Sequence, residues 1–237
     1  MFLKEGIEAD NFKPISTGEY NSIYKAEAGK KKYIIKIAPA GIPVLTYEHN
    51  LMSAELFWYE QLRTNTNITV PTVCFADLTG SPNFFIMEYL PGQMLNKVKQ
   101  SKEEQEQVKI LMAQMAAQMH KIKNDKYGYI QNELYQNWYL AIKAMTTNII
   151  KDSAAVGKKS PNGERLLTYI DQYQECLEKA ECCMVNFDIH PANIIVNQVN
   201  NINQYAWIDP ERSFWGDRIA DFVCLEMLRL SAYRRKN

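Results

Sequence analysis

The apolar pattern of the chain changes period at Pro91-Gly92. Ahead of that dipeptide, short runs alternate with period two: in KKYIIKIA (31 to 38), Tyr33, Ile35 and Ile37 point one way while Ile34, Lys36 and Ala38 point the other. SIYKAE (22 to 27) is the expected hairpin partner, because Ala28-Gly29-Lys30 supplies a glycine for the turn. VCFAD (73 to 77) and NFFIMEY (83 to 89) read as two more strands. A single helical segment interrupts them, LTYEHNLMSAELFWYEQL (45 to 62), in which Leu51, Glu55, Trp58 and Leu62 recur at helical spacing. After Gly92 the period becomes 3.6 over 102 to 123, roughly 133 to 152, and 162 to 181. Strand signal returns only in NIIVN (193 to 197) and YAWID (205 to 209), a hairpin joined by the polar stretch NQVNNINQ, and the later part of FWGDRIADFVCLEMLRL is helical. The pattern predicts an α+β chain in two parts. A β-rich N-terminal lobe spans 1 to 90, a hinge lies near 86 to 92, and a helical C-terminal lobe with a small β-hairpin spans 93 to 237.

Two charges interrupt these apolar faces. Lys36 sits on an otherwise apolar strand face and Glu55 inside an apolar helix stripe. Either one buried alone costs several kcal/mol, and pairing relieves both. Glu48, seven residues before Glu55, is the competing partner, but a position at the start of the helix gives an acid another reason to be there. A third interruption is MVNFDIHPANIIV (184 to 196), where Asp188, His190 and Asn193 separate two apolar runs. An ionised carboxylate there needs a partner, a metal or solvent. Antiparallel strands bring their flanks together, so Asn193 and Asp209, at opposite ends of the expected hairpin, could share a divalent cation. Either could instead cap a turn.

Charge and composition exclude several classes. Lys and Arg number 27 against 27 Asp and Glu, so no net field recruits nucleic acid or anionic lipid, and KKK (30 to 32) and RRK (234 to 236) read as solvated surface. The five cysteines form no CxxC pair, and reduced thiols in a cytoplasm are expected. The opening MFLKEGIEADNF has no apolar core of a signal peptide, and no apolar run approaches the roughly 18 residues of a bilayer span. The expectation is a cytoplasmic protein, monomeric or weakly dimeric, with neither nucleic acid nor membrane as partner.

Asp188 and Asn193 stand five apart, the D-x-x-x-x-N spacing of kinase catalytic loops. NFDIHPAN followed by WIDPE resembles the signature of the aminoglycoside phosphotransferase and choline-kinase-like family, small-molecule relatives of protein kinases. The resemblance runs along nearly the whole chain: TGEYNSIYKAE is similar to the nucleotide loop, IIKI to the lysine strand, SAELFWYEQL to the pairing helix, FFIMEYLPG to the hinge and AAQMHKI to a recurrent helix ending. It implies a bilobal protein-kinase-like fold. It also implies that Gly18 belongs to the nucleotide loop, Lys36 contacts the α- and β-phosphates, and Glu55 orients Lys36. Backbone groups of Glu88, Tyr89 and Leu90 would bind the base, Asp188 would be the catalytic residue, and Asn193 and Asp209 would hold Mg²⁺. Taken by itself, Gly18 reads equally well as an ordinary turn glycine. His190 is read as shaping the loop, His120 and His49 as packing or surface residues, and Asp217 and Asp221 as bracing positions. Members usually carry a histidine two residues before the catalytic aspartate, where this chain has Asn186, and they continue with further helices, where this chain ends 16 residues past Asp221. A truncated C-terminal lobe or an open acceptor site is the expectation.

The function implied is Mg²⁺-dependent transfer of the γ-phosphate of ATP or GTP to a hydroxyl of a small molecule. The acceptor is an aminoglycoside or an endogenous metabolite such as choline or an amino sugar. Glu175, Glu178 and Glu181 could face a cationic acceptor or merely solvent, and Tyr135, Trp138 and Tyr139 could stack on a sugar or fill the core. The alternative from another class is a nucleotide-binding, pseudokinase-like scaffold with little turnover. Retaining Lys36, Glu55, Asp188, Asn193 and Asp209 together argues against it.

Overall fold

The computed structural model describes residues 11–17, 21–39, 41, 45–200 and 202–223. Its first part is a five-stranded antiparallel sheet of β1 (Asn11–Thr17), β2 (Ser22–Ala28), β3 (Lys31–Ile37), β4 (Val73–Asp77) and β5 (Phe84–Glu88), in the order β1-β2-β3-β5-β4. The β2–β3 connection closes on Gly29 at φ +58, a left-handed conformation that a tight hairpin demands and glycine adopts freely. The period-two alternation of β3 then sorts its side chains. Tyr33, Ile35 and Ile37 pack with Ala26, Phe84 and Ile86 on one face, while Ile34 and Ala38 pack with Met52, Tyr59, Phe85 and Met87 on the other. Lys36 lies opposite Phe85 in the ladder and shares that second face.

α1 (Leu51–Asn65) covers this face, and its stripe of Leu51, Glu55, Trp58 and Leu62 is buried. The helix begins six residues later than the pattern predicted. Asn50 adopts a left-handed backbone (φ 56), and Thr46–Glu48 forms a separate 3-10 turn. That turn is held elsewhere: Thr46 donates from both its N–H and its Oγ1 to Asp152, at 2.8 and 2.7 Å.

The second part opens with β6 (Gln93–Met94), followed by α2 (Lys102–Met119), α3 (Trp138–Ala155), α4 (Pro161–Gln172) and α5 (Gln174–Glu178). Asp152, which holds the 3-10 turn, lies on α3. α2 starts at a capping box, with Ser101 Oγ accepting from Glu104 N–H and Glu104 Oε2 accepting from Ser101 N–H. Asn137 caps α3, so the helix starts there and not near 133. The single helix expected over 162–181 breaks at Tyr173 into α4 and α5. The chain then enters β7 (Cys183–Val185), β8 (Ile194–Val199), β9 (Ile202–Trp207) and β10 (Phe214–Gly216), and a helical segment begins at 219. β8 and β9 pair from Ile194↔Trp207 to Val199↔Ile202, so most of NQVNNINQ is strand and not connection.

The largest apolar cluster joins α1 to the second part. Trp58 and Leu62 meet Met112, Met115 and Met119 of α2, Met184 of β7 and Trp207 of β9. Trp58 also packs edge-on against Trp215, with ring centroids 4.8 Å apart. The architecture is α+β and bilobal. No helix among the described residues is long and apolar enough to cross a membrane.

Candidate active site

Three carboxylates from two elements converge on the Lys36 ammonium. From α1 comes Glu55, whose Oε2 accepts from Nζ at 2.7 Å. The turn after β9 supplies Asp209, with Oδ1 at 2.6 Å, and Glu211, with Oε2 at 2.9 Å. Asp209 is held in a left-handed backbone (φ 63), and its N–H donates to the hydroxyl of Tyr59 on α1 at 3.0 Å. Lys36, Glu55 and Glu211 are buried, whereas 40% of the Asp209 side chain is exposed and open to a ligand. Glu48, the rival for Lys36, goes with the 3-10 turn, and its Oε2 accepts the N–H of Leu45 at 3.0 Å.

One ammonium serves three carboxylates here. Burial pushes Glu55 up to about 8, with Lys36 drawing it down and Asp209 and Glu211 pushing it further up. Burial raises Glu211 in the same way, against the pull of Lys36. Burial alone would lower Lys36, but Glu55, Asp209 and Glu211 together hold it well above the ordinary lysine value. The cluster therefore keeps Lys36 charged and retains a proton among its acids, with Glu55 the most deeply buried carboxyl.

The segment between β7 and β8 carries Asp188. Its Oδ2 accepts from Asn193 Nδ2 at 2.9 Å, and its carbonyl oxygen accepts from the same amide at 3.1 Å. The fold needed for this contact is a 3-10 turn at Pro191–Asn193, capped by His190, whose Nδ1 accepts the Ala192 N–H at 3.0 Å. His190 thus shapes the loop, as its position suggested. Asn186 is fully buried and its Oδ1 accepts the N–H of Asp188 at 3.1 Å. The amide braces the loop where the resemblance led one to expect a histidine. Asn193 meets the far strand through its main chain, with its carbonyl accepting Ile208 N–H at 2.9 Å, one residue from Asp209.

The remaining expected residues fall as follows. Glu88 ends β5, and its N–H donates to Thr72 O at 2.9 Å, while Tyr89 N–H donates to Lys32 O at 3.1 Å. Leu90 follows them beside Pro91 in the wall of a cavity of about 390 Å³ that Ile195 and Tyr205 also line. Gly18 lies outside the described residues. Glu175 and Glu178 are exposed on α5, and Glu181 pairs with Lys123 at 2.8 Å. Trp138 stacks on Phe214 in the core, and the Tyr139 hydroxyl donates to Asp171.

Sequence reasoning missed three contributors. Glu211 was visible as the acid two residues after Asp209, but a turn has no periodicity to mark it as inward-facing. Asn21 donates from Nδ2 to Glu211 Oε2 at 3.2 Å across 190 residues, a contact no local pattern encodes. His120, expected as a packing or surface residue, places Nε2 2.8 Å from Asp221 Oδ2. Asp221 in turn takes the N–H groups of Asn186 and Phe187, so α2 and the segment starting at 219 both support the Asp188 loop.

Of the three carboxylates around Lys36, the part-exposed Asp209 is a hard oxygen donor that suits a divalent cation. Glu55, Asp209 and Glu211 each offer an oxygen, and these atoms lie within 4.8 Å of one another.

The sequence profile of the phosphotransferase enzyme family matches residues 11–232. No curated protein sequence matches the chain. Among solved structures, a protein from Haemophilus somnus 129PT assigned as a fructosamine-3-kinase is 19% identical, with a TM-score of 0.66 over 91% of this chain and 70% of that one. A thermostable mutant of aminoglycoside phosphotransferase APH(4)-Ia, solved with ADP and hygromycin B, is 13% identical, with a TM-score of 0.66 over 96% of this chain and 76% of that one. A mutant of aminoglycoside 2'-phosphotransferase-IIIa, solved with GDP, is 11% identical, with a TM-score of 0.61 over 95% and 74%. At these identities the likeness is one of fold.

Proposed function

The chain belongs to the phosphotransferase enzyme family, and from that membership we propose that it moves the γ-phosphoryl group of ATP or GTP to a hydroxyl of a small molecule. The observation that carries this reading is the pairing of two constellations. Asp188 is held by Asn193 at 2.9 Å, and Lys36 is held by Glu55 at 2.7 Å with Asp209 beside it. The names of the similar proteins span fructosamine and aminoglycosides, which supports a hydroxylated amine of the amino-sugar kind as the acceptor in this reading.

In this reading the surroundings of each residue support its role. Glu55 fixes the Lys36 ammonium so that it can face the α- and β-phosphates. Leu90 N–H takes no backbone partner among the described residues, unlike those of Glu88 and Tyr89, which supports it as the hinge donor for the base. Asp188 orients the acceptor hydroxyl. Reference pKa values of a carboxylic acid and an alcohol differ by roughly 11 units, so the carboxylate accepts the proton late, as a loose phosphoryl-transfer transition state allows. Asn193 and Asp209 are the residues that would hold Mg²⁺, with Glu211 next to them. Bound there, the ion supplies charge neutralisation for the transferring phosphoryl oxygens. In the same reading, residues 1 to 90 with a hinge near 86 to 92 serve the nucleotide and residues 93 to 237 serve the acceptor.

A thermal-shift series with ATP and GTP, each with and without Mg²⁺, tests the proposal. Metal-dependent stabilisation by either nucleotide is expected, and its absence with both removes the reading.

A further inference from the structure

The Lys36 ammonium has no hydrogen-bond donor to spare. A lysine carries three N–H donors, and Glu55, Asp209 and Glu211 lie at 2.7, 2.6 and 2.9 Å from Nζ. A triphosphate arriving alone meets a saturated lysine surrounded by three acids. The acid least expected there, Glu211, is also held from the other side. Its Oε2 accepts from Asn21 Nδ2 at 3.2 Å while accepting from Lys36. Asn21 immediately precedes β2 and is only 6% exposed, and its own Oδ1 is buried without a partner among the described residues.

We propose that Asn21 is a positioning residue which, through Glu211, keeps Lys36 turned away from phosphate until a divalent cation accompanies the nucleotide. The inference rests on the phosphotransfer reading of this site. Asn21 contributes a neutral donor that fixes one oxygen of Glu211 on the lysine side. With that donor in place, Lys36 can turn an N–H toward phosphate only when Asp209 or Glu211 is drawn to another cation. The clasp also ties the residue before β2, the strand paired with β3, to the turn after β9. Its functional consequence is selectivity: nucleotide without metal is refused at the lysine.

The clasp is tested by calorimetric titration of ADP into the unaltered protein, Asn21→Ala and Glu211→Gln, each in EDTA and in excess Mg²⁺, with a thermal melt of each variant as the folding control. The unaltered protein is expected to bind ADP far more tightly with Mg²⁺ than without. Both variants are expected to bind metal-free ADP roughly tenfold more tightly than the unaltered protein, a gain of about 1.4 kcal/mol, so that the ratio between the two conditions narrows. A purely structural role for Asn21 would weaken both conditions alike and leave the ratio unchanged. Metal-free affinity that is unchanged or weaker in whichever variants melt near the unaltered protein overturns the clasp. Absence of ADP binding to the unaltered protein in both conditions overturns the phosphotransfer reading, and the clasp with it.

Discussion

Asp221 accepts the backbone N–H of Phe187 at 2.6 Å, tying the residue immediately before Asp188 to the helical segment that begins at 219. Phe187 adopts a left-handed backbone (φ 58), uncommon for an aromatic residue and sustained only where the surroundings fix it. The same carboxylate takes Asn186 N–H at 3.3 Å and lies 2.8 Å from His120 Nε2. Three donors on one buried side chain make Asp221 the support of the loop.

Replacing Asp221 with Ala strands those donors. A buried donor left unsatisfied costs about 1–3 kcal/mol and a chain of this size loses about 2–4 °C per kcal/mol, so the buried Asn186 N–H alone is expected to lower the melt by roughly 2–12 °C, and the part-buried Phe187 and His120 contacts lower it further. Turnover should fall much more than nucleotide affinity, because Lys36 and the hinge are untouched. Asp221→Asn keeps acceptor capacity and should lose less of both. A melt and a kcat measurement check this, and a variant with unchanged kcat contradicts the bracing role.

Stability should decline with pH because of Glu55. Burial holds its carboxyl up at about 8 in the folded protein, above the ordinary carboxylate value, with Lys36 opposing. The folded chain then keeps a proton that the unfolded chain has released. The associated stability is fully present below the ordinary carboxylate range and is lost as pH rises through about 8. Glu55→Gln carries no such proton, so its melting temperature should vary less than that of the unaltered protein between about pH 5 and pH 8. Parallel curves for the two proteins would contradict the assignment.

Gly92 carries a steric demand of its own. At φ +128, a Cβ there would collide with the Val196 carbonyl oxygen and the Ile195 side chain of β8. Gly92→Ala must push the hinge away from β8, two residues from Leu90. The expected result is a loss of about 1–3 kcal/mol in stability and weaker nucleotide binding. A variant matching the unaltered protein in melting temperature and nucleotide affinity would show that the hinge does not need this approach.

The parts of the fold that were legible in the sequence are those fixed by periodicity. The alternation of β3 placed Lys36 on the α1 face, and the α1 stripe placed Glu55 opposite it, because both patterns are repeated burial decisions. Single-residue backbone choices were hidden. The left-handed Asn50 starts α1 late and releases Glu48, and nothing in a hydrophobicity pattern marks it. The polar stretch NQVNNINQ read as a connection because β8 and β9 run out into solvent, where strand residues have no burial to record. Contacts between distant segments were equally silent, as with Asn21 to Glu211 and His120 to Asp221. The Asp188–Asn193 spacing, by contrast, was legible because a single 3-10 turn brings the two side chains together.

The most direct test is the fate of Asp188. Incubate the unaltered protein and Asp188→Asn with ATP or GTP, Mg²⁺ and a panel of hydroxylated amino-sugar acceptors, and follow phosphate addition by mass spectrometry alongside nucleotide affinity. The account predicts phosphorylated acceptor from the unaltered protein, no detectable product from Asp188→Asn, and similar nucleotide affinity in both. Full activity in Asp188→Asn would contradict the assigned site.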